Sequence, residues 1–182
     1  MAVLGVLIAH AMIAVVASAG PVQAETVRKT VLLPFDLVLQ KKEEDFYIGA
    51  GKPSPAEQSR LKAINDELAK ILSEDGVHQL IDMTPFAKEI EAAAPFVDCN
   101  GCEVDLAKKF NGEVLYTGLV DKASETLLNM RIMEIDVASG QLKRAGNVVV
   151  QGNTDESWVR GVRWLMKNKL PAKEAQKSEA AK

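Results

Sequence analysis

The stretch that decides the fold is EVLYTGLVDKASETLLNMRIMEIDVASGQLKRAGNVVVQ, residues 113–151. Its three runs of β-branched and other apolar residues predict strands at 113–121, 126–138 and 141–151. Ser139 and Gly140, between the last two runs, are typical of a tight hairpin turn. The apolar residues of the middle run change parity near Met133 and Glu134, which predicts a β-bulge there. We therefore expect an antiparallel three-stranded meander.

Strand and helix signals alternate in the sequence before the meander. TVLLPFDLVLQ, residues 30–40, predicts a mostly buried strand in which Pro34 causes a bulge or an exit at a sheet edge. Ser54, followed by Pro55 and Glu57, has the pattern of a helix cap. The remaining predicted elements are the helix from Ser54 to Gly76, a strand at 77–83, a helix capped by Thr84 and stopped by Pro95, a helix at 103–110, and a last helix opened by residues 153–156. This order predicts an α/β (α+β) domain, with a mixed sheet of about five strands and helices packed on it.

Residues 1–24 have the pattern of an export signal. Residues 3–19 are almost all apolar, Gly20 and Pro21 break a helix, and residues 22–24 match the small-x-small cleavage pattern. An uncleaved membrane anchor is the alternative, because about 17 apolar residues is the lower limit of a membrane span. We expect cleavage after Ala24 and release into the periplasm without membrane insertion. A single domain at 25–171 and a disordered tail at 172–182 would follow.

Charge and composition exclude one class of partner. The chain has 182 residues, a formal net charge of −3 and only 5% aromatic residues. Nucleic-acid binding requires a basic surface that neutralises phosphates, usually with aromatic side chains that stack on bases. We therefore expect no nucleic-acid partner.

The only two cysteines, Cys99 and Cys102, form a C-x-x-C motif. In an oxidising compartment such a pair favours a structural disulfide, and a redox-active pair and a metal site are the alternatives. Asp98 and Glu103 flank the pair and disfavour a reactive thiolate, and Glu103 stands where haem attachment requires histidine. A structural zinc site needs about four ligands, and His78 is the only histidine after the signal. We expect a disulfide, no metal and no cofactor.

The other candidates for catalysis have simpler structural explanations. His78 lies on a short predicted strand, and the sequence has no nucleophile elbow and no phosphate-binding glycine loop. Asp155 and Glu156 are adjacent, so on a helix their carboxylates point about 100° apart and do not converge on one substrate atom. Helix capping explains both residues better. We expect no enzymatic activity.

The last predicted helix carries the candidate partner-binding residues. Arg160, Arg163 and Lys167 are spaced by three and four residues, so they form one cationic row. Such a row is usually a solvated face, and the alternative is a binding site for an acidic partner. Trp164 falls outside the apolar face of the helix, and an exposed tryptophan is a typical anchor of protein interfaces.

Two motifs carry a resemblance to a known family. DCNGC at 98–102 and GNTDESW at 152–158 resemble the motifs of a family of exported bacterial proteins described as a domain of unknown function, over about residues 28–170. The element order, with LPFD at 33–36 and the late hairpin, is similar to the amino-terminal domain of the translocation protein TolB. Related α/β domains occur in outer-membrane assembly lipoproteins. The resemblance implies a cell-envelope protein that contacts other proteins, and it supplies no catalytic residue.

From these observations we predict a periplasmic, non-enzymatic accessory or protein-binding module of the bacterial cell envelope. Its expected partner is an envelope protein. The alternatives are a thiol–disulfide redox protein that uses Cys99 and Cys102, and a small-molecule sensor domain.

Overall fold

The computed structural model describes residues 27–39 and 52–172. The predicted export signal at 1–24, and the predicted tail beyond Ala172, lie outside the described residues. The strands are β1 (Arg28–Leu32), β2 (Asp36–Leu39), β3 (His78–Leu80), β4 (Val114–Lys122), β5 (Leu127–Asp136) and β6 (Leu142–Gln151). The helices are α1 (Pro55–Glu74), α2 (Ala87–Ala93), α3 (Cys102–Lys109) and α4 (Asp155–Asn168), with short 3-10 turns at Thr84–Phe86 and Phe96–Asp98. Among these described helices, none combines the length and the hydropathy that crossing a bilayer requires.

The six strands form one mixed sheet, in which five follow the order β3-β1-β4-β5-β6 and β2 pairs with β4. β1 and β2 both run parallel to β4, β1 beside its first residues and β2 beside its last, on the edge opposite β5. β3 pairs with β1 in parallel, whereas β4, β5 and β6 are antiparallel neighbours. The predicted meander and the α+β class with a mixed sheet are confirmed, with six strands instead of about five.

Pro34 divides the strand predicted at 30–40 into β1 and β2. Proline has no N–H to donate and a fixed φ, so regular strand pairing stops there. Leu33 still donates its N–H to the carbonyl oxygen of Tyr116 over 3.0 Å. After Pro34, pairing with β4 resumes at Asp36, opposite Leu119, so the chain does not leave the sheet. The end of the predicted strand, Gln40, lies outside the described residues.

The β5–β6 hairpin has the predicted bulge but a wider turn. The register of the two strands shifts between Glu134 and Ile135, which confirms the bulge. β5 ends at Asp136 and residues 137–141 form the connection, so Ser139 and Gly140 do not make a two-residue turn. Instead, Gly140 has a left-handed φ of 69° and donates its N–H to the carbonyl oxygen of Asp136 at 2.8 Å.

The helix starts show one correct and one wrong prediction. The Ser54 hydroxyl accepts the N–H of Glu57 at 3.3 Å, and the Glu57 carboxylate accepts the N–H of Ser54 at 2.8 Å, so α1 begins at the predicted capping box. Thr84 was predicted to cap a helix and does not. It begins the 3-10 turn Thr84–Phe86, and α2 follows without a side-chain cap.

Helices cover both faces of the sheet and enclose two separate cores. On one face, buried residues of α1 and α4 pack on the strands: Ile64, Leu68, Leu72, Trp158, Val162 and Leu165. On the other face, α2, α3 and the turn before α3 contribute Ile90, Phe96, Ala107 and Phe110. Burial of these apolar side chains is the main favourable term for the fold.

Candidate protein-binding surface

α4 begins at a second capping box. The Thr154 hydroxyl accepts the N–H of Ser157 at 3.2 Å, and the Ser157 hydroxyl accepts the N–H of Thr154 at 3.1 Å. Asp155 and Glu156 occupy the first turn, where the helix dipole favours negative charge. A hydrogen bond from its own backbone N–H lowers the pKa of Glu156. The side-chain cap is therefore Thr154, and both acids lie in the first turn after it, where Oδ1 of Asp155 accepts a hydrogen bond from Nε of Arg60 at 3.3 Å.

The inward face of α4 packs tightly on the sheet. Trp158 is fully buried, and its indole N–H donates to Oδ1 of Asn153 at 3.1 Å. A Cβ atom on Gly161 would lie only 2.8 Å from Cγ2 of Val150 in β6, so a larger residue would clash with that side chain. The buried residues of α4 thus face the sheet, and the opposite side of the helix faces outward.

The four predicted partner-binding residues all lie exposed on the outward side of α4. We call this set, Arg160, Arg163, Trp164 and Lys167, the α4 face. The side chain of Trp164 is 42% exposed. At about 100° per residue the four positions fall within an arc of about 100°, so one partner surface can reach all of them.

Arg163 is already engaged within the chain. Its Nε donates to Oε1 of Glu67 at 2.6 Å and its Nη2 donates to Oε2 of Glu67 at 3.1 Å, which links α4 to α1. These bonds lower the pKa of the Glu67 carboxyl. The ammonium of Lys169 lies 5.8 Å from the centre of the Trp164 ring, within the range of a cation–π contact. A cation therefore lies over the exposed indole, although Arg163, one cation of the row, is paired with Glu67 on α1.

A groove of about 260 Å³ runs between α1 and α4 beside the α4 face. Its apolar lining comes from Ile71, Met166, Leu170 and Ala172, and its polar lining comes from Glu67, Asp75, Arg163 and Lys167. Two of the predicted residues therefore line the groove, and Trp164 does not. The side of the groove formed by α1 was not predicted. Helical periodicity assigns Ile71 to the core, but it does not indicate which helix packs beside α1.

Cys99 and Cys102 pack against the core on the opposite face of the sheet, away from the α4 face. Their sulfur atoms lie 1.96 Å apart, at disulfide bonding distance. Oε2 of Glu103 lies 3.3 Å from Sγ of Cys99. The loop is held to the sheet by Asp36, whose Oδ2 accepts the N–H of Val97 at 2.6 Å. Burial raises the pKa of Asp36 to about 6, against the effect of its backbone hydrogen bonds.

His78 belongs to a buried polar network, not to an open pocket. Its side chain is only 1% exposed. Nη2 of Arg28 donates to Nε2 at 3.2 Å, so Nδ1 carries the ring proton and donates to Oδ2 of Asp75 at 2.7 Å. The bond from Arg28 requires the neutral ring, and burial lowers the pKa of His78. The interpretation of this histidine as structural fits the geometry.

The same network continues across the sheet through residues that the sequence analysis missed. Glu134 is 2% exposed and accepts hydrogen bonds from Arg144, from the hydroxyl of Tyr116 at 2.9 Å and from Arg28 at 3.4 Å. Burial raises the pKa of Tyr116. Arg28 and Glu134 are 106 positions apart, and no local pattern links residues at such a separation.

Several solved structures are similar to this chain. Lipoprotein GNA1162 from Neisseria meningitidis is 12% identical over 79% of this chain and 99% of its own, with a TM-score of 0.49. The LpoB C-terminal domain from Escherichia coli is 10% identical over 73% and 89%, with a TM-score of 0.48. TolB from Acinetobacter baumannii is 9% identical over 79% of this chain and 29% of its own, with a TM-score of 0.40.

The sequence comparisons give the family. No curated protein matches the chain. A family model described as "Protein of unknown function (DUF2380)" matches residues 28–170, which is most of the sequence and the range over which the two motifs predicted a family resemblance. The chain belongs to this family, DUF3280.

Proposed function

We propose that the protein is a non-enzymatic binding module of the bacterial cell envelope, and that an acidic protein partner binds at the α4 face. The observation that carries this proposal is the exposed Trp164 on the same helix face as Arg160 and Lys167. Tryptophan is enriched among the few residues that dominate binding energy, and surrounding charge steers an oppositely charged partner.

The α1–α4 groove supports the same proposal. Its apolar lining offers a place for an aliphatic or aromatic side chain, and Lys167 stands at its rim. A partner segment with an apolar residue next to acidic residues would fill the groove and neutralise the α4 face together. Such a combination of a central apolar contact and a charged rim is the usual anatomy of a specific interface.

The compartment in this proposal rests on the amino-terminal sequence. Residues 3–19 and the small-x-small pattern at 22–24 favour export and cleavage after Ala24. The mature protein would then work in the periplasm, where its partner would be another envelope protein. Intact-mass measurement of the protein from its host tests the cleavage directly. Recovery of the full-length chain would contradict it.

Photo-crosslinking tests the binding surface. A photoreactive phenylalanine analogue at position 164 should capture a defined protein in the host bacterium, because this position would lie inside the interface. The matched control places the same analogue at position 149. Val149 is 54% exposed, and it lies on the other face of the sheet because its neighbour Val150 faces α4.

A charge reversal completes the test. Lys167→Glu should reduce the crosslink from position 164 strongly, because the acidic partner would meet a like charge. Lys108→Glu on α3 removes the same exposed charge from the opposite face and should leave the crosslink unchanged. Equal capture from positions 149 and 164, or equal loss in both charge variants, would contradict the proposed site.

A further inference from the structure

Three metal-binding side chains meet in the loop before α3. Sγ of Cys99, Sγ of Cys102 and a carboxylate oxygen of Glu103 all lie within 4.8 Å of one another. The sequence pattern pointed only to cysteine and histidine as ligands, and Glu103 entered as a charge that disfavours a thiolate and as the residue in place of a haem-attachment histidine. The fold changes that role, because the first turn of α3 brings the Glu103 carboxylate back over the cysteines.

The backbone of this loop already has the spacing that two thiolate ligands need. The Cα atoms of Cys99 and Cys102 are 5.7 Å apart. Two thiolates on one tetrahedral Zn²⁺ lie about 3.8 Å from each other, given Zn–S bonds of about 2.3 Å. Side-chain rotation can provide that separation once the sulfurs are no longer bonded. Gly101, with a left-handed φ of 94°, makes the tight turn between them.

Local electrostatics favour a cation at this place. Cys102 is the first residue of α3, where the helix dipole favours a thiolate. Asp98 and Glu103 flank the pair, and both carboxylates act on Asp36 across the loop. Two thiolates alone would repel these acids, whereas a divalent ion offsets the charge of the whole group.

We propose that opening of the Cys99–Cys102 disulfide converts this loop into a site for one thiophilic divalent metal ion such as Zn²⁺. A dithiol reductant gives two electrons and two protons to the disulfide and leaves as its own cyclic disulfide. The metal ion then displaces both thiol protons and binds the two thiolates and the Glu103 carboxylate, with a fourth position for water. Reoxidation of the thiolates by a disulfide oxidant releases the ion. The site is independent of the α4 face, which lies on the other side of the sheet.

Cobalt spectroscopy of the whole mature protein tests the proposal. The protein is reduced with dithiothreitol, freed of it by anaerobic desalting, and titrated with Co²⁺. We expect thiolate-to-cobalt charge-transfer absorption in the near ultraviolet and tetrahedral ligand-field bands in the visible, both saturating at one equivalent. The oxidised protein and the Cys99→Ser/Cys102→Ser variant should show neither. Circular dichroism of the reduced, metal-free protein should remain that of the folded state.

Two variants on α3 distinguish direct binding of the metal ion by Glu103 from a general effect of negative charge near the site. Glu103→Gln should weaken Co²⁺ binding at least about tenfold, since even groups that only support ligands change affinity by about that factor. Asp105→Asn removes an exposed carboxylate from the same helix turn and should weaken binding much less. Equal weakening by both variants would overturn the role of Glu103. Absence of charge-transfer bands, saturation at half an equivalent or loss of the fold on reduction would overturn the site.

Discussion

Substitution of Glu134 by glutamine should destabilise the protein more than any change of a surface ion pair. The Glu134 side chain is 2% exposed, and those of Arg28 and Arg144 are 15% and 13% exposed. Its carboxylate accepts hydrogen bonds from both guanidinium groups and from Tyr116. Glutamine keeps the shape but carries no charge, and its amide N–H₂ faces donors. Two nearly buried cations would then each lose an ion pair with this carboxylate.

The expected cost is about 3 kcal/mol. Removal of one partner from a buried ion pair costs about 3–5 kcal/mol, because an uncompensated charge stays in a low-dielectric surrounding. We take the lower end because glutamine can still accept one of the hydrogen bonds and because both arginines keep some contact with water. With urea slopes of about 1–3 kcal/mol/M for small domains, the midpoint of unfolding should fall by about 1–3 M.

Urea unfolding followed by circular dichroism measures this loss, and Glu89→Gln is the matched control. Glu89 pairs with Lys109 at the surface, where the two side chains are 44% and 60% exposed, so its loss should cost below about 1 kcal/mol. A Glu134→Gln protein whose midpoint lies within the error of the Glu89→Gln protein would refute the reasoning that the buried network depends on its carboxylate.

Two further substitutions test other parts of the fold. Asp36→Asn should stabilise the protein above pH 6 and have little effect below pH 4. Burial raises the pKa of Asp36 in the folded protein from 3.8 to about 6. The wild type therefore loses stability as the pH rises from about 4 to about 6, and the variant does not. The free energy of unfolding should rise by about 1 kcal/mol, which is less than the whole pKa shift implies because the side chain keeps contact with water. A stability difference between variant and wild type that does not change with pH would contradict this prediction. Gly118→Ala should cost about 1–3 kcal/mol, because its Cβ would lie 2.2 Å from the Phe35 ring; an unchanged melting temperature would show that the ring moves aside freely.

Local patterns predicted most of the elements. The capping box at Ser54, the helix start at 153–156, the meander and the bulge beside Glu134 depend on neighbouring residues, so the sequence contains them directly. The errors also have local causes. Thr84 has the residue type of a helix cap, but the chain turns there in a 3-10 conformation before α2 begins. The turn after Asp136 is wider than two residues, although Ser139 and Gly140 fit a tight turn.

Features that depend on distant residues were not predictable from the sequence. Periodicity placed Arg163 on the outer side of a helix, but the bond to Glu67 required the packing of α4 against α1, 96 positions away. The groove between these helices was missed for the same reason. Glu103, one position after the C-x-x-C motif, was within reach of the analysis. Its approach to the sulfurs was not predicted, because it depends on α3 beginning at Cys102.

The buried network also positions the candidate binding surface. Glu134 holds Arg144, whose Nη1 donates to the carbonyl oxygen of Pro171 at 2.8 Å, just after α4. The neighbouring residues Leu170 and Ala172 line the groove. A buried carboxylate on β5 therefore fixes the end of the groove through one arginine. Loss of that carboxylate should weaken partner capture from position 164 even where most of the protein is folded, because it releases the chain that closes the groove.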